Sequence, residues 1–382
     1  MTGNKLDIVI LGLSITSSWG NGHATTFRGL MRGLSARGHR VLFLERDVPW
    51  YAENRDLAEP PWGRTCLYQS FRDLRERWHD AIRDADLVIV GSFVPDGEVV
   101  GRWVLGVATG VRAFYDIDTP VTLATLRDGS CAYISADLIP AYDLYLSFTG
   151  GPVLEQLERD LGAPLARPLY CSADPELHRP LKRPLRYDLG YMGTYSVDRQ
   201  PALDRLLVDV AKQWPAGRFV VAGSLYPPDV HWPQNVERIE HLPPARHVPF
   251  YNEQRFTLNL TRQEMVRVGW APSVRLFEAA ACGTPIISDW WEGLDCFLIP
   301  GHEVLIAERA EDVLRYLREL SDDERRAIGR RGREAILARH TANHRAMELE
   351  GYFLEARSLK RRRAQKGSGR SSSKMTTPGT AR

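Results

Sequence analysis

Short runs of apolar residues alternate along the chain with stretches in which apolar side chains recur at helical spacing. The first run, at residues 6–11, leads into a loop rich in glycine, serine and threonine. From His23 onward the apolar residues share one helical face, at Phe27, Leu30, Met31 and Leu34. A second apolar run begins at residue 41. The pattern therefore predicts a strand, a loop, a helix and a further strand, the unit from which parallel sheets are built.

Both halves of the chain repeat this alternation. In the first half it predicts further strands at residues 87–90, 111–115 and 144–148. In the second half it predicts strands at residues 189–192, 219–222, 256–260 and 285–288, and helices at residues 199–213, 273–282 and from 310 to about 356. We expect an α/β fold with two doubly wound sheets, each covered by helices on both faces.

The two halves are joined by a segment with five prolines between residues 163 and 186. A chain of 382 residues also exceeds the ~250–300 residues at which single hydrophobic cores stop growing, so two domains are expected. We place an N-terminal Rossmann-like domain at 1–170, a linker at 171–186 and a C-terminal Rossmann-like domain at 187–340. A helix at 341–358 is able to pack back on the first domain, and a disordered basic tail follows at 359–382.

Charge is unevenly distributed along the chain. The formal net charge is +2, but residues 357–382 hold nine basic and no acidic side chains, which leaves −7 on residues 1–356. The acidic balance of the folded part predicts no specific nucleic-acid partner. The tail would make only weak contact with anionic surfaces, because short basic segments attract polyanions without specificity.

The five cysteines are scattered and form no C-x-x-C pair, which is typical of reduced core thiols and predicts neither disulfides nor a metal site. No apolar run approaches the ~18 residues of a membrane span. The start of the chain, residues 1–5, lacks the apolar segment of a secretory signal. We therefore predict no transmembrane segment and a cytoplasmic location.

The segment at 271–289, APSVRLFEAAACGTPIISD, is the strongest candidate for ligand binding. Ser273 stands where it would cap the first turn of a helix, and Arg275 lies in that turn, where the helix dipole disfavours a cation. An anion such as a diphosphate, bound to the amides around Val274, would account for the arginine. An ion pair with a nearby carboxylate is the alternative. Glu278 lies on the same face, where its carboxylate could accept both hydroxyls of a ribose.

This segment resembles the nucleotide-sugar motif of GT-B glycosyltransferases, and it looks most like the CgeB-type, or spore maturation protein, group within them. The resemblance implies two Rossmann-like domains that face each other across a cleft, with Glu278 on the donor ribose. Retaining members of the superfamily carry a second glutamate eight positions earlier, where this chain has Trp270. The sequence therefore leaves open whether the sugar is transferred with retention or inversion.

Residues 191–207, YMGTYSVDRQPALDRLL, are similar to a strand, loop and helix of the same family. By this resemblance Gly193 lets the backbone approach the donor, and Arg199 takes the place of a lysine that binds the diphosphate. Thr194 stands where the family has an arginine. Arg262 or Arg267 could supply the missing charge, and surface ion pairs explain these two arginines equally well.

Residues 20–44 look like the glycine-rich loop and first helix of GT-B acceptor domains, in which Gly22 would let the backbone approach the donor phosphates. His23 lies where inverting relatives place a general base, and a capping or solvent-facing histidine is the alternative. Further on, Asp116, Asp118 and Asp128 follow a predicted strand. They could bind acceptor hydroxyls, act as a base or hold a metal, or they could stabilise the loop by hydrogen bonds.

From these patterns we predict a glycosyltransferase of the hexosyltransferase type that moves a sugar from a nucleoside-diphosphate donor, a UDP-sugar above all, to an unidentified acceptor. His23 and Asp118 are the predicted catalytic residues, and no metal or additional cofactor is expected. Two alternatives stay open: a GT-B nucleotide-sugar epimerase, and a non-catalytic protein that binds sugar nucleotides or the spore coat. The donor base, the sugar, the acceptor and the oligomeric state are not determined by the sequence.

Overall fold

Two separate parallel sheets organise the chain. The computed structural model describes residues 5–372, with side chains described as far as residue 365. The first sheet ends with a strand at Ala166–Pro168, and the second begins with a strand at Tyr187–Met192. The domain boundaries drawn from the sequence stay predictions.

The N-terminal sheet has seven strands, all of them paired in parallel. They are β1 (Asp7–Gly12), β2 (Arg40–Arg46), β3 (Arg64–Tyr68), β4 (Leu87–Gly91), β5 (Val111–Asp116), β6 (Leu144–Ser147) and β7 (Ala166–Pro168). The helices are α1 (His23–Ala36), α2 (Pro49–Ala52), α3 (Phe71–Asp84), α4 (Gly97–Val107), α5 (Thr119–Asp128) and α6 (Pro152–Arg159), with a 3₁₀ helix at Ala136–Ala141. The spatial order β3-β2-β1-β4-β5-β6-β7 reverses direction between β1 and β4.

The C-terminal sheet has six parallel strands in the order β10-β9-β8-β11-β12-β13. They are β8 (Tyr187–Met192), β9 (Phe219–Ala222), β10 (Val236–Ile239), β11 (Gln254–Asn259), β12 (Ile286–Ser288) and β13 (Leu305–Ile306). The helices are α7 (Gln200–Leu203), α8 (Asp209–Gln213), α9 (His247–Asn252), α10 (Gln263–Val268), α11 (Val274–Ala281), α12 (Ala310–Glu319), α13 (Asp322–Arg339) and α14 (Ala342–Ser372). A π-helical turn at Asp204–Val208 joins α7 to α8, and 3₁₀ helices lie at Pro244–Arg246 and Leu294–Cys296.

Every apolar run that predicted a strand forms one, and the strands that were missed lie toward the margins of the sheets. β3, β7, β10 and β13 are short or partly exposed, so they lack the continuous apolar run that marks a central strand such as β4, in which all five residues are buried. Both sheets reverse their strand order once, at β1 and β4 in the first and at β8 and β11 in the second. Crevices at such points are where open α/β sheets bind ligands.

The last helix returns to the N-terminal domain. Glu350 of α14 accepts hydrogen bonds from Arg37 at 2.5 and 2.8 Å, just past the end of α1. Farther along, the Lys360 ammonium lies 3.1 Å from the Asp143 carboxylate. The sequence predicted a disordered tail from residue 359. That start is too early, because Lys360 belongs to α14 and contacts the first domain. The predicted contact of the tail with anionic surfaces falls mostly outside the residues whose side chains are described. Within the described residues, no helix is long and apolar enough to cross a bilayer.

Candidate active site

A cavity of about 250 Å³, called here the interdomain cavity, opens between the two domains at the carboxyl ends of their strands. It is lined by the loop after β1, by the loops after β8, β9 and β10, and by helices α9 and α11. It thus lies at the point where each sheet reverses its strand order. Of the predicted binding residues it contains Gly22, Gly193, Thr194, Val274, Arg275 and Glu278.

The start of α11 differs from its prediction in one respect. Ser273 has the extended backbone of an N-cap residue, but its hydroxyl donates to the Asn259 side-chain oxygen at 2.6 Å and caps no amide of the helix. The prediction of a side-chain cap was therefore wrong, because Asn259 at the end of β11 offers the hydroxyl a closer acceptor. Ser273 does not line the interdomain cavity, whereas Val274 and Arg275 of the first turn do.

Arg275 is a buried cation held by neutral groups. Its Nε donates to the Met192 carbonyl at 2.6 Å and its Nη1 to the Asn259 side chain at 3.0 Å, while the guanidinium carbon lies 4.8 Å from the centre of the Tyr191 ring. Within the described residues it forms no ion pair at contact distance, but its charge lies close enough to Asp289 to oppose the burial that raises the pKa of that carboxyl. Nη2 makes no hydrogen bond to the described part of the chain. The positive charge is therefore available to a ligand in the cavity.

Glu278 is a buried carboxylate that the protein only partly satisfies. One oxygen accepts a hydrogen bond from the Tyr251 hydroxyl at 3.1 Å, and burial keeps the pKa of that phenol well above its usual range, so the phenol remains a donor. The other oxygen lies 3.7 Å from Nε2 of His178. A buried carboxylate needs further donors, because ionised oxygens each accept more than one hydrogen bond. Two vicinal hydroxyls would provide them.

His178 is a neighbour of Glu278 that sequence reasoning missed. It lies in the segment predicted as the linker, about a hundred residues before the carboxylate that it faces. Its Nδ1 accepts the Asp174 amide at 3.3 Å, which places the proton of a neutral ring on Nε2, toward Glu278. No local pattern around His178 could have revealed this, since the contact depends on how the linker crosses α11.

Two glycines let the backbone itself line the cavity. A Cβ atom on Gly193 would lie 2.4 Å from the Tyr191 hydroxyl oxygen and 3.0 Å from Nη2 of Arg275. Gly223, after β9, has φ +153°, and a Cβ atom there would lie 2.0 Å from the Gly193 carbonyl oxygen. The loops after β8 and β9 therefore approach each other more closely than side chains allow. Gly223 was not among the predicted residues.

Arg199 supports this loop from behind. Its Nη2 donates to the Thr194 carbonyl at 2.7 Å, and its buried Nε has no partner within the described residues. Thr194 lines the interdomain cavity and Arg199 does not. The sequence predicted that Arg199 binds an anion directly, but the arginine does not line the interdomain cavity.

The described geometry is similar to that of known proteins. Residues 199–351 match a family model described as "Glycosyl transferase-like". Sucrose-phosphate synthase from Thermosynechococcus elongatus aligns over 91% of this chain and 98% of its own, with 16% identity and a TM-score of 0.66. HepE from Anabaena, solved in complex with UDP and glucose, aligns over 92% of this chain and 100% of its own, with 11% identity and a TM-score of 0.69. A sequence comparison with curated proteins found no match.

The chain has the GT-B fold. That architecture consists of two parallel sheets that face each other across a cleft, as in this chain. The predicted fold class of two Rossmann-like domains is confirmed. The comparisons align nearly the whole chain with each solved structure, so the likeness includes both domains.

The N-terminal side of the GT-B cleft is less tightly built than the C-terminal side. A Cβ atom on Gly22 would meet no other atom within 4 Å, so packing within the protein does not require a glycine there. Asn21 shapes the turn instead, since its side chain donates to the carbonyls of Ser14 and Ser17 and accepts the His23 amide at 3.0 Å. The open space beside Gly22 is the interdomain cavity itself.

The two predicted catalytic residues lie next to each other. Nε2 of His23, at the start of α1, is 3.6 Å from a carboxylate oxygen of Asp118, which precedes α5. The other ring nitrogen of His23 is buried and has no partner within the described residues, and the ring contacts Phe93 edge to face at 5.4 Å between centroids. The GT-B cleft thus brings together an imidazole and a carboxylate that are far apart in sequence. Neither lines the interdomain cavity, although Gly22 beside His23 does.

Asp116 and Asp128 stabilise loops. Asp116 is fully buried, accepts hydrogen bonds from the hydroxyls of Thr122 at 2.7 Å and Tyr145 at 2.6 Å, and burial raises its pKa to about 6. Asp128 accepts the amide and the hydroxyl of Ser130. Among the described residues no cluster of histidine, cysteine, aspartate and glutamate is arranged to hold a metal ion. These contacts support the alternative in which the two carboxylates stabilise their loops by hydrogen bonds.

Two further residues lie away from their predicted places. Arg262 lines a different cavity, of about 550 Å³, between α5 and α10, because the loop after β11 turns it toward the N-terminal domain. Trp270, at the position where the sequence resemblance expects a glutamate in retaining glycosyltransferases, has φ +45°. Its indole is packed so closely against Gly151 and Gly293 that a Cβ atom on either glycine would lie 2.4 Å from the ring. This tryptophan therefore joins the two domains.

Proposed function

We propose that this protein is a glycosyltransferase that takes its sugar from a nucleoside-diphosphate donor, above all a UDP-sugar. One observation carries the proposal: Arg275 and Glu278, a cation and a carboxylate less than one turn apart on α11, are both buried and both line the cavity between the domains. A diphosphate and a ribose carry the complementary groups at similar spacing. The similar protein HepE was solved with UDP and glucose, which supports the same class of ligand here.

In this proposal each part of the donor has its own partner. Glu278 accepts the ribose hydroxyls, with Tyr251 and His178 holding the carboxylate in place. Nη2 of Arg275, the amide of Val274 and the backbone at Gly193 and Thr194 receive the diphosphate, and Arg199 stabilises that loop. The base extends toward residues 240–242, where the amides of residues 241 and 242 make no hydrogen bond within the described residues and could bind a base edge.

Catalysis falls to the N-terminal side of the cleft. His23 removes the proton from the acceptor hydroxyl, and Asp118 stabilises the imidazolium that forms. The lone pair that accepts the proton belongs to Nδ1, which has no protein partner in the described residues. Because this nitrogen is buried, the acceptor must displace a neighbouring group to reach it. Arg275 and the helix amides stabilise the leaving diphosphate, so the residues present supply charge neutralisation themselves.

The finer assignments belong to the same proposal. The likeness of residues 271–289 to the CgeB-type group supports placing the protein in that group. A hexose as the transferred sugar and the cytoplasm as the location are part of the same proposal. The epimerase and the non-catalytic binding protein gain support from no feature of the described cleft. The family match over residues 199–351 favours a transferase instead.

Thermal unfolding in the presence of nucleotides tests the proposal. A ligand that binds only the folded state raises the melting temperature. At a hundredfold excess over Kd it increases the free energy of unfolding by about 2.7 kcal/mol. UDP, UDP-glucose, GDP-glucose, uridine and NAD would be compared at equal concentration. We expect a diphosphate nucleotide to stabilise the protein and uridine to stabilise it much less. Stabilisation by NAD alone would contradict the proposal.

A further inference from the structure

A second cavity of the cleft contains a cation that the donor does not use. This cavity, called here the α5–α10 cavity, has a volume of about 550 Å³ and is lined by both domains. The N-terminal domain contributes one face of α5, and the C-terminal domain contributes residues 196–198 and the segment that begins at Arg262. It shares no lining residue with the interdomain cavity.

The Arg262 guanidinium forms one long ion pair, with Asp198. Within the described residues it makes no hydrogen bond, and its Nε is buried without a partner. The nearest carboxylate oxygen belongs to Asp198, 3.9 Å from Nε, beyond hydrogen-bond distance. Asp198 is already engaged, since its carboxylate accepts the Gln263 amide at 3.0 Å and the hydroxyl of Ser196. A buried donor without a partner costs free energy that an incoming acceptor group would recover.

The rest of the cavity gives the ligand an apolar side. Val121 and Ala124 of α5 face Val197, whose side chain is 76% exposed, across the space. Glu264, the other acidic residue of the lining, is paired with Arg267 at 3.3 Å. The Arg262 guanidinium keeps unused hydrogen-bond donors beside a small apolar wall, which fits a molecule whose anionic group replaces the long contact with Asp198 and whose apolar body packs on α5.

The position of the cavity relates it to the catalytic pair. Asp118 is the N-cap residue of α5, and Val121 and Thr125 lie three and seven residues after it, or about 4.5 and 10.5 Å along the helix axis. On the other side, Ser196 lies two residues after Thr194 of the interdomain cavity. A molecule in the α5–α10 cavity would therefore lie on α5 within about two turns of Asp118 while the interdomain cavity is filled.

We propose that the α5–α10 cavity is the acceptor subsite and that Arg262 binds a carboxylate or phosphate carried by the acceptor, whose apolar part packs on α5. The term acceptor rests on the proposed glycosyltransferase function, whereas the anion site itself does not. The sequence predicted that Arg262 contacts the donor, and this inference reassigns it to the other substrate.

The experiment uses phenyl phosphate as the probe, with the full-length protein saturated with UDP so that the interdomain cavity is closed to it. Calorimetry would compare the wild type with Arg262→Gln and Arg218→Gln. Arg218 is the matched control, because its Nε also lies 3.9 Å from an aspartate that accepts a nearby amide, but at the opposite end of the C-terminal sheet. We expect Arg262→Gln to weaken the binding of phenyl phosphate about tenfold or more. Arg218→Gln should leave this affinity unchanged.

A second variant tests the apolar wall. Ala124→Phe should fill the α5 side, so that phenyl phosphate binds no better than inorganic phosphate. Equal binding of phenyl phosphate to the wild type and Arg262→Gln, or no binding to either, would overturn the inference. A tenfold loss of UDP affinity in Arg262→Gln would overturn it as well, since Arg262 would then belong to the donor side. If UDP fails to bind the wild type while phenyl phosphate binds through Arg262, the glycosyltransferase proposal fails and the anion site stands.

Discussion

The two sides of the cleft differ in how firmly the protein fixes their charged groups. On the C-terminal side, Arg275 has two close hydrogen bonds and an aromatic ring beneath it, and Glu278 is held by a phenol. On the N-terminal side, His23 lies 3.6 Å from Asp118 and its other nitrogen has no partner in the described residues. The charged groups of the C-terminal side are thus fixed by close contacts before a ligand arrives, whereas the catalytic pair has no close hydrogen bond between its members.

This difference matches the tasks that the two sides have in the proposed reaction. A donor site must present fixed charges where the leaving diphosphate develops charge, and fixed groups do this without a cost of reorganisation. The catalytic side must accommodate an acceptor and then release a glycosylated product, which requires looser neighbours. Variants on the two sides should therefore fail in different ways: those on the catalytic side in turnover, and those on the donor side in binding.

The largest effect is expected from His23→Gln, which removes the proposed base and keeps a polar side chain. General base catalysis contributes about 10²–10⁴-fold, so kcat should fall by that order. The readout is hydrolysis of the UDP-sugar that stabilises the protein most, with water as the acceptor. Asp118→Asn should lower kcat in the same direction, and both variants should bind UDP within about twofold of the wild type. Unchanged kcat in His23→Gln would refute the assignment of the base.

A smaller effect, on binding, is expected from Glu278→Gln. Hydrogen bonds to a charged group contribute about 1.5–3 kcal/mol, so UDP should bind roughly 10- to 150-fold more weakly by calorimetry. The decisive comparison uses 2′-deoxy-UDP, which should bind the wild type more weakly than UDP but bind Glu278→Gln as well as UDP does.

Tyr251→Phe is the control for Glu278, because it removes the phenol that holds the carboxylate and keeps the carboxylate itself. Its loss of UDP affinity should be smaller than that of Glu278→Gln. The ratio of the affinities for UDP and 2′-deoxy-UDP is the deciding quantity. If this ratio were the same in Glu278→Gln as in the wild type, the carboxylate would not contact the ribose.

The glycines on the two sides offer the next comparison. Gly193→Ala would place a Cβ atom 2.4 Å from the Tyr191 hydroxyl and 3.0 Å from Arg275, whereas Gly22→Ala would meet nothing within 4 Å. Overpacking of this kind costs about 1–3 kcal/mol, so Gly193→Ala should lower the free energy of unfolding by that order. It should also weaken the binding of UDP about tenfold, with little change in the binding of uridine. Gly22→Ala should alter that free energy by less than about 0.5 kcal/mol. Equal losses of stability would show that the two loops are equally constrained.

The smallest effect concerns Asp116, whose pKa burial raises to about 6. Between the unfolded pKa near 3.9 and the folded value, the folded state binds more protons, so the contribution of this group to stability falls as pH rises through that window. Asp116→Asn removes the titration. Relative to the wild type, the variant should therefore gain about 1 kcal/mol in free energy of unfolding between pH 5 and pH 7.5.

Urea denaturation of both proteins at the two pH values provides the measurement. Other titrating groups are common to the two proteins and cancel in the difference. A difference that does not vary with pH would mean that Asp116 is ionised at both values, and that its hydrogen bonds to Thr122 and Tyr145 outweigh its burial.

The sequence by itself determined the parallel sheets and the chemistry of α11. The apolar runs that became β1, β4 and β8 could be located because burial on both faces leaves a continuous apolar signal. Arg275 and Glu278 could be paired because three residues of a helix place both side chains on one face. In each case the information is local, and no distant part of the chain is needed to read it.

Only the tertiary structure decided which distant groups meet. The order of the strands brings His23 to Asp118, and the path of the linker brings His178 to Glu278. The turn after β11 directs Arg262 away from the interdomain cavity and toward α5. Asn259 likewise takes the Ser273 hydroxyl that the local pattern assigned to a helix cap. These contacts depend on loops whose ends are fixed by sheet order and domain packing, and no periodicity along the chain records them.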